Sequence, residues 1–267
     1  MGHDMVETYI EEFRNLWDDR AVSYSEQVLP QISEDNCRRW VDEVLKDVPA
    51  DQALDVLDVG CGPGFFSMVL GRMGHNVIGI DYNENMCKVA ALNCQNHGII
   101  GDFRVMDAHN LDFEDCSFDL VVSRDVLWNL DNPEKAYREM FRVLRPDGKI
   151  TVFDGNYYLY SHDPAYAKFD VDKHIEIYHK EEPDCRDRLM RVADMATKLP
   201  ASMNRRPQWD VSRLIELGAR RVSSISYPDN EVIFTENGKT IHLPFIFSVS
   251  GFKGPADRYD TLSHTSL

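Results

Sequence analysis

Residues 54–66 read LDVLDVGCGPGFF. An aliphatic run from Val56 to Val59 meets Gly60, Cys61, Gly62, Pro63 and Gly64, and an apolar helical pattern starts at Phe65. That order is a buried strand, a tight glycine turn, and a helix whose N-terminus rests against the turn. Glycines let the backbone pass close to a ligand, and the free N–H groups of the first helical turn face whatever sits there. A dinucleotide fingerprint has the form GxGxxG, whereas Gly60, Gly62 and Gly64 are spaced two apart. Asp58 ends the strand two residues before the first glycine. A carboxylate there repels a phosphate and suits an ammonium group, so the turn reads as a site for a nucleoside that carries an amino acid. Taken alone, the glycine pattern also fits a plain strand-to-helix turn.

On either side the chain alternates strands and helices. Upstream, residues 5–20 suit a helix with Tyr9, Phe13, Leu16 and Trp17 at helical spacing, and 34–47 suit a second that Pro49 ends. Downstream, strands are expected at 76–80, 102–106, 118–123 and 149–153. Helices are expected at 64–73, 84–97 and 133–145, the last opening with Pro133 in its first turn and stopping at Arg145, Pro146, Asp147 and Gly148. Strands separated by helices of this length pair in parallel with right-handed crossovers, which predicts a doubly wound α/β sheet. From Asp154 to about Pro207 the rhythm breaks. Tyr157, Tyr158, Tyr160, Tyr166, His162, His174 and His179 fall there, with a helix expected at 186–198, and the segment reads as an inserted, mostly helical cap. A helix at 210–218 and two final strands at 222–227 and 245–252, joined by a long linker containing ENGK, complete a seven-stranded, mainly parallel sheet with helices on both faces and its last strand antiparallel. The expected organisation is 1–50 N-terminal helices forming a lid, 51–155 cofactor-binding core, 156–208 cap on the acceptor side, and 209–267 last helix, last strands and a polar tail.

The phrase VLDVGCGPG resembles motif I of the class I S-adenosylmethionine-dependent methyltransferases, a Rossmann-like family whose cofactor is a nucleoside carrying an amino acid. WDDRAVSY, residues 17–24, resembles the aromatic and arginine cluster with which such chains often lid the cofactor, making Tyr24 a cofactor neighbour. LRPDGKITVFD, residues 144–154, resembles a later motif of the family, which usually has a glycine where Asp147 stands; a turn tolerates that change. The resemblance covers residues 15–155 well, the last two strands loosely, and the cap not at all.

In an open sheet a ligand lies across the carboxyl ends of the strands, where Asp58, Asp81 and Asp107 converge. Asp81 can accept both ribose hydroxyls, the role of this acid in the resembled family, or can cap the next helix, as Asn83 also can. Tyr82 can pack on the sugar or base. Asp107 and Ala108 stand where the family meets the adenine amino group. The resemblance adds Gly60, Cys61, Gly62 and Met86 to the cofactor side. Arg124, at the end of the fourth strand, is either a cofactor ligand or half of an internal salt bridge. Asp125 can accept a proton, orient the acceptor, or cap a helix; Trp128 and Leu130 read as packing. Catalytic candidates are His162, Asp125 and Tyr157, and no metal is expected. Arg205, Arg206 and Trp209 either receive an acidic or aromatic acceptor or link the cap to the sheet.

Composition narrows the function. Twenty-nine lysines and arginines against 45 acids give a formal net charge of −16 in a 267-residue chain that is 43% hydrophobic. Long-range attraction to nucleic acid or anionic lipid is therefore disfavoured, and a small-molecule acceptor fits better. The acidic N-terminus lacks the apolar run of a signal peptide, and no stretch nears the 18 or so apolar residues of a membrane span. Six cysteines without CxxC or a paired framework read as the reduced thiols of a cytoplasmic protein, with Cys87 and Cys94 on one helix face as core packing. No NPPY-like quartet of the kind that serves base or glutamine amides is present. Three function classes follow: a methyltransferase for a small metabolite or natural product, one for RNA or protein, and a non-catalytic cofactor-binding module. The acceptor atom and the choice between monomer and homodimer are not written in the sequence.

Overall fold

The computed structural model describes residues 3–49, 51–167, 169–178, 185–227, 231–236 and 239–255. The side chains of Tyr9, Phe13 and His174, all of His179, and the tail past residue 255 lie outside the described residues. Strand β1, Asp55–Val59, takes the centre of the sheet, with β2, Asn76–Asp81, on one side and β4, Phe118–Arg124, on the other, both parallel to it. β3, Asp102–Val105, forms one edge. On the far side β5, Leu144–Gly155, pairs parallel to β4 and antiparallel to β9, Ile246–Phe252, which also pairs antiparallel with β6, Arg220–Ser226. The order β3-β2-β1-β4-β5-β9-β6 reverses direction between β1 and β4. That switch point opens a crevice at the carboxyl ends of those strands.

Burial on both faces explains why β1 reads as an almost unbroken apolar run. Leu57 and Val59 pack with Tyr137, Met140 and Val143 of α5, Pro133–Val143, and Leu214 of α9, Gln208–Glu216. Val56 faces the other way, toward Val44 of α2, Glu34–Leu45, and Phe66, Met68 and Leu70 of α3, Phe65–Arg72. The Asn83 side chain caps α4, Glu84–Asn96, by accepting from Met86 N, and Asn132 does the same for α5 from Lys135 N.

Several expectations need correction. The first helix, α1, runs from His3 to Val28, past the point where its apolar spacing weakens, because Ala21, Ser25 and Val28 stay buried. β5 begins at Leu144 rather than Lys149; the expected turn is absorbed as an irregularity in the strand, with Asp147 at φ 61°, the left-handed conformation that a glycine would adopt most cheaply. The long linker holds a hairpin, β7 Glu231–Glu236 and β8 Lys239–Pro244, registered from Glu231↔Pro244 to Glu236↔Lys239.

Between β5 and α9 the insertion is helical: α6 Val171–Tyr178, α7 Arg186–Ala196 and α8 Pro200–Met203, with short 3-10 turns before them. Its apolar face, led by Leu189, Val192, Ala196 and Leu199, packs with Trp128 and with Leu16 and Trp17 of α1. Arg206 closes the insertion onto the sheet and is fully buried. Its Nη1 donates to Asp154 Oδ2 at 2.7 Å, its Nη2 to Asp210 Oδ1 at 2.6 Å, and Tyr137 Oη donates to the same Asp210 oxygen at 2.8 Å. Linking cap to sheet is therefore the role that the structure gives Arg206. Removing one member of a buried charge cluster strands the others. Arg206→Met is expected to destabilise the fold by about 3–5 kcal/mol, read as a lower urea midpoint in an equilibrium unfolding curve.

Candidate active site

A cleft of about 210 Å³ lies at the switch point and is lined by Tyr24, Asp58, Gly60, Cys61, Gly62, Asp81, Tyr82, Met86, Asp107, Ala108 and Arg124, which brings every expected cofactor residue to one place. The glycine turn at its base has little freedom. Gly60 has φ 66°, and a Cβ there would stand 2.3 Å from Val126 Cγ2, so a side chain is excluded by conformation and by contact. Gly62 N donates to Asp81 Oδ2 at 3.0 Å, while Asp81 Oδ1 accepts from Asn83 N at 3.0 Å. With Asn83 capping α4, Asp81 braces the turn instead. Asp58 Oδ2 accepts from Ser67 Oγ at 2.7 Å and Ser67 N at 3.0 Å, which places a carboxylate against the positive end of α3.

Burial pushes both carboxyls up to about 6, opposed at Asp58 by the Ser67 bonds and at Asp81 by the Asn83 and Gly62 N–H groups. The Cys61 thiol is pushed well up by its hydrogen bond to Cys87 and by burial, so it stays protonated. Two buried carboxyls and a glycine turn fit the ammonium group and ribose hydroxyls of S-adenosylmethionine, since a cation and hydroxyl donors stabilise the ionised form.

Two residues of the cleft escape a sequence reading. His109 Nδ1 lies 2.8 Å from Asp107 Oδ1 and its Nε2 lies 3.3 Å from Asp131 Oδ1. The histidine thus bridges the loop after β3 to the segment ahead of α5. Its only signal was a position two residues after Asp107.

A second chamber, of about 320 Å³, adjoins the first, and Trp17, Tyr24, Arg124 and Asp125 line both. α1 roofs it with Leu16 and Arg20, the cap adds Leu189 and Val192, and the floor includes Trp128, Phe153 and Tyr157. Tyr157 Oη donates to Asp125 Oδ1 at 2.5 Å, and Asp125 Oδ2 lies 3.5 Å from Arg124 Nε. Asp125 sits at φ 58°, an uncommon conformation that aspartate tolerates better than most residues, held by Asp125 N donating to Phe153 O and by Trp128 Nε1 donating to Asp125 O. His162 does not belong to this group. It is exposed, lines neither cavity, and places Nε2 2.6 Å from Thr197 O, which withdraws it as a base. Arg205 pairs with Asp163 outside both cavities. Among the described residues no helix is long and apolar enough to cross a membrane, and no cluster of three or more His, Cys, Asp or Glu is arranged to hold a metal.

A family model described as a methyltransferase domain matches residues 57–152, the span that holds the glycine turn and all three strand-end acids. Residues 57–152 form a methyltransferase domain of the class I S-adenosylmethionine-dependent kind. The chain is 33% identical over 123 residues to the ubiquinone/menaquinone biosynthesis C-methyltransferase UbiE of Pseudoalteromonas translucida, covering 44% of this chain and 49% of the relative. It is 33% identical over 159 residues to the demethylmenaquinone methyltransferase of Renibacterium salmoninarum, covering 60% and 62%. The chain spans about half to three-fifths of the length of these relatives. Among solved structures it shares its fold with a phosphoethanolamine N-methyltransferase of Haemonchus contortus in complex with S-adenosyl-L-methionine, at TM-score 0.57, 15% identity, 81% of this chain and 52% of that one. The [4+2]-cyclase SpnF has the same fold, at TM-score 0.51, 18% identity and 83% and 82% coverage. Both likenesses speak to the fold alone.

The raised carboxyls set a pH dependence. Their ordinary value is near 3.9 and the folded value near 6, so ionising them weakens the ligand-free fold as pH rises from about 4 through 6. A ligand that needs the ionised form restores that loss and binds best above pH 7. The affinity for S-adenosylhomocysteine, measured by titration calorimetry, is expected to fall at least about tenfold between pH 7.5 and pH 5.

Proposed function

We propose that this protein moves a methyl group from S-adenosylmethionine to a nucleophilic O, N, S or C of a small metabolite or natural product held in the second chamber. The observation that carries this reading is the common wall. Trp17, Tyr24, Arg124 and Asp125 line both cavities, so a molecule in one meets a molecule in the other across them. Bound S-adenosylmethionine supplies an electrophilic methyl group. The chain's own work is then mainly placement, since in-line methyl transfer gains most from proximity and orientation.

In this reading Asp58 meets the cofactor's ammonium group, Asp81 its ribose hydroxyls, and Asp107 with Ala108 its adenine edge. Gly60, Cys61, Gly62, Tyr82 and Met86 line its path, and Tyr24 closes over it. Asp125 takes the acceptor's proton, directly or through Tyr157, when the nucleophile is oxygen or carbon. Its salt bridge to Arg124 keeps it aimed.

The roof of α1 and cap favours a small acceptor over a macromolecule, consistent with a formal net charge of −16. By their names the relatives serve ubiquinone and menaquinone biosynthesis, and the aromatic lining here also suits a ring-bearing acceptor. We read 1–50 as the lid, 51–155 as the cofactor-binding core, 156–208 as the acceptor-side cap, and 209–267 as the closing segment. All six cysteines are free thiols, which supports a cytoplasmic setting.

Asp81→Ala is expected to weaken S-adenosylhomocysteine binding at least about tenfold by calorimetry and also to lower the melting temperature, because the buried carboxylate that would meet the ribose hydroxyls also braces the turn by accepting from Gly62 N and Asn83 N. Unchanged affinity would remove Asp81 from the ribose. Once an acceptor is in hand, Asp125→Asn is expected to lower kcat by about 10²–10³-fold while leaving cofactor affinity within a factor of about three, measured by initial rates beside the same calorimetry.

A further inference from the structure

The charges of the second chamber do not cancel. Asp154 in its floor is held by Arg206, and Asp125 is engaged by Arg124 and Tyr157. Arg39, which α2 contributes to the same wall, faces no carboxylate among the described residues. Its guanidinium carbon lies 4.2 Å from the ring centroid of Trp40 and 5.4 Å from that of Tyr227. Arg39 is exposed at the edge of the chamber and meets two aromatic rings and no acid among the described residues, so its charge is open to a ligand there. Rings support the flat guanidinium without using its N–H groups in salt bridges, which leaves the fork available to a planar anion.

Arg124 carries the same pattern inward. Its guanidinium carbon lies 4.1 Å from the Phe65 ring centroid and 5.4 Å from that of Trp40, and its Nη1 is buried with no hydrogen-bond partner among the described residues. Both guanidiniums thus meet the same indole, and one small molecule can span the distance between them. Asp125, at the cofactor end, repels an anion. The chamber is therefore polar along its length, with a carboxylate at the transfer end and an available cation on the wall that α2 and β6 supply.

We propose that the acceptor is a ring-bearing carboxylate, bound with its anionic group on the Arg39 fork, its ring among the chamber's aromatic side chains, and its nucleophilic atom at Asp125 and Tyr157. The inference rests on the methyltransferase reading and narrows it to an anionic substrate class. Arg39 is a specificity-determining residue in this scheme: a neutral ring of the same shape loses the charge-assisted pair.

The test uses the full chain saturated with S-adenosylhomocysteine and titrated calorimetrically at pH 7.5 with 2-naphthoate and with 2-naphthamide, which share shape and differ in charge. The wild-type protein is expected to bind the naphthoate at least about tenfold more tightly, and Arg39→Gln to reduce that preference below about threefold while Arg39→Lys keeps part of it and S-adenosylhomocysteine affinity stays the same in all three. Equal affinity for the two probes, no binding of either, or a preference that survives Arg39→Gln would overturn the proposal. Failure of S-adenosylhomocysteine itself to bind would instead bring down the methyltransferase reading, and this inference with it. A bound cofactor product with no charge preference defeats the inference alone.

Discussion

Asp154 leaves the end of β5 as a carboxyl with no access to solvent, and Arg206 reaches it from the last turn of the insertion. A charge so placed is tolerated only with partners, and here each partner has further duties. Asp154 Oδ2 also accepts from Trp128 N at 3.1 Å, and Trp128 Nε1 donates to Asp125 O at 2.9 Å. A single run of hydrogen bonds thus passes from the closing end of the cap, through the sheet, to the backbone of Asp125. Burial, partly offset by Arg206, raises the Asp154 carboxyl to about 6. The cap is consequently more than a cover, because its anchorage sets where Asp125 stands.

The cofactor cleft follows a different economy. Asp58 and Asp81 are both buried and both engaged by N–H groups of the turn and helix they border, which rigidifies an otherwise permissive glycine segment. Asp81 has no guanidinium or ammonium partner among its described contacts, and Asp58 feels Arg124 only through space, with no salt bridge to it. Their ionised forms are stabilised most when a cation arrives, so the ligand-free protein holds latent affinity in its electrostatics rather than in a preformed salt bridge.

Much of this was legible in the sequence where function and local pattern coincide. The strand, turn and helix around Gly60 announce themselves because both faces of β1 are buried and the turn admits no side chain. The acids at 58, 81 and 107 stood out because topology carries strand ends to one crevice. What stayed hidden depends on long-range placement. Ser67 as the partner of Asp58 requires knowing where the first turn of α3 falls, and His109 bridging Asp107 to Asp131 requires two loops to meet. The wall built by Arg39, Trp40 and Tyr227 joins α2 to the end of β6, residues nearly two hundred positions apart. His162 illustrates the opposite error: chemistry suited to a base, on a turn that directs it to a carbonyl at the surface. The β7–β8 hairpin was missed although Asn-Gly is a hairpin-turn signal, because Val232, Ile233 and Phe234 run together and give no two-residue alternation.

Trp17 and Tyr24 lie one helical segment apart on α1 and touch edge to face, with ring centroids 5.5 Å apart, and both belong to the two cavities. By thermodynamic reciprocity, whatever factor the cofactor adds to acceptor affinity, the acceptor must add to cofactor affinity. In the proposed function α1, which lies outside the matched residues 57–152, would join the two sites through these rings.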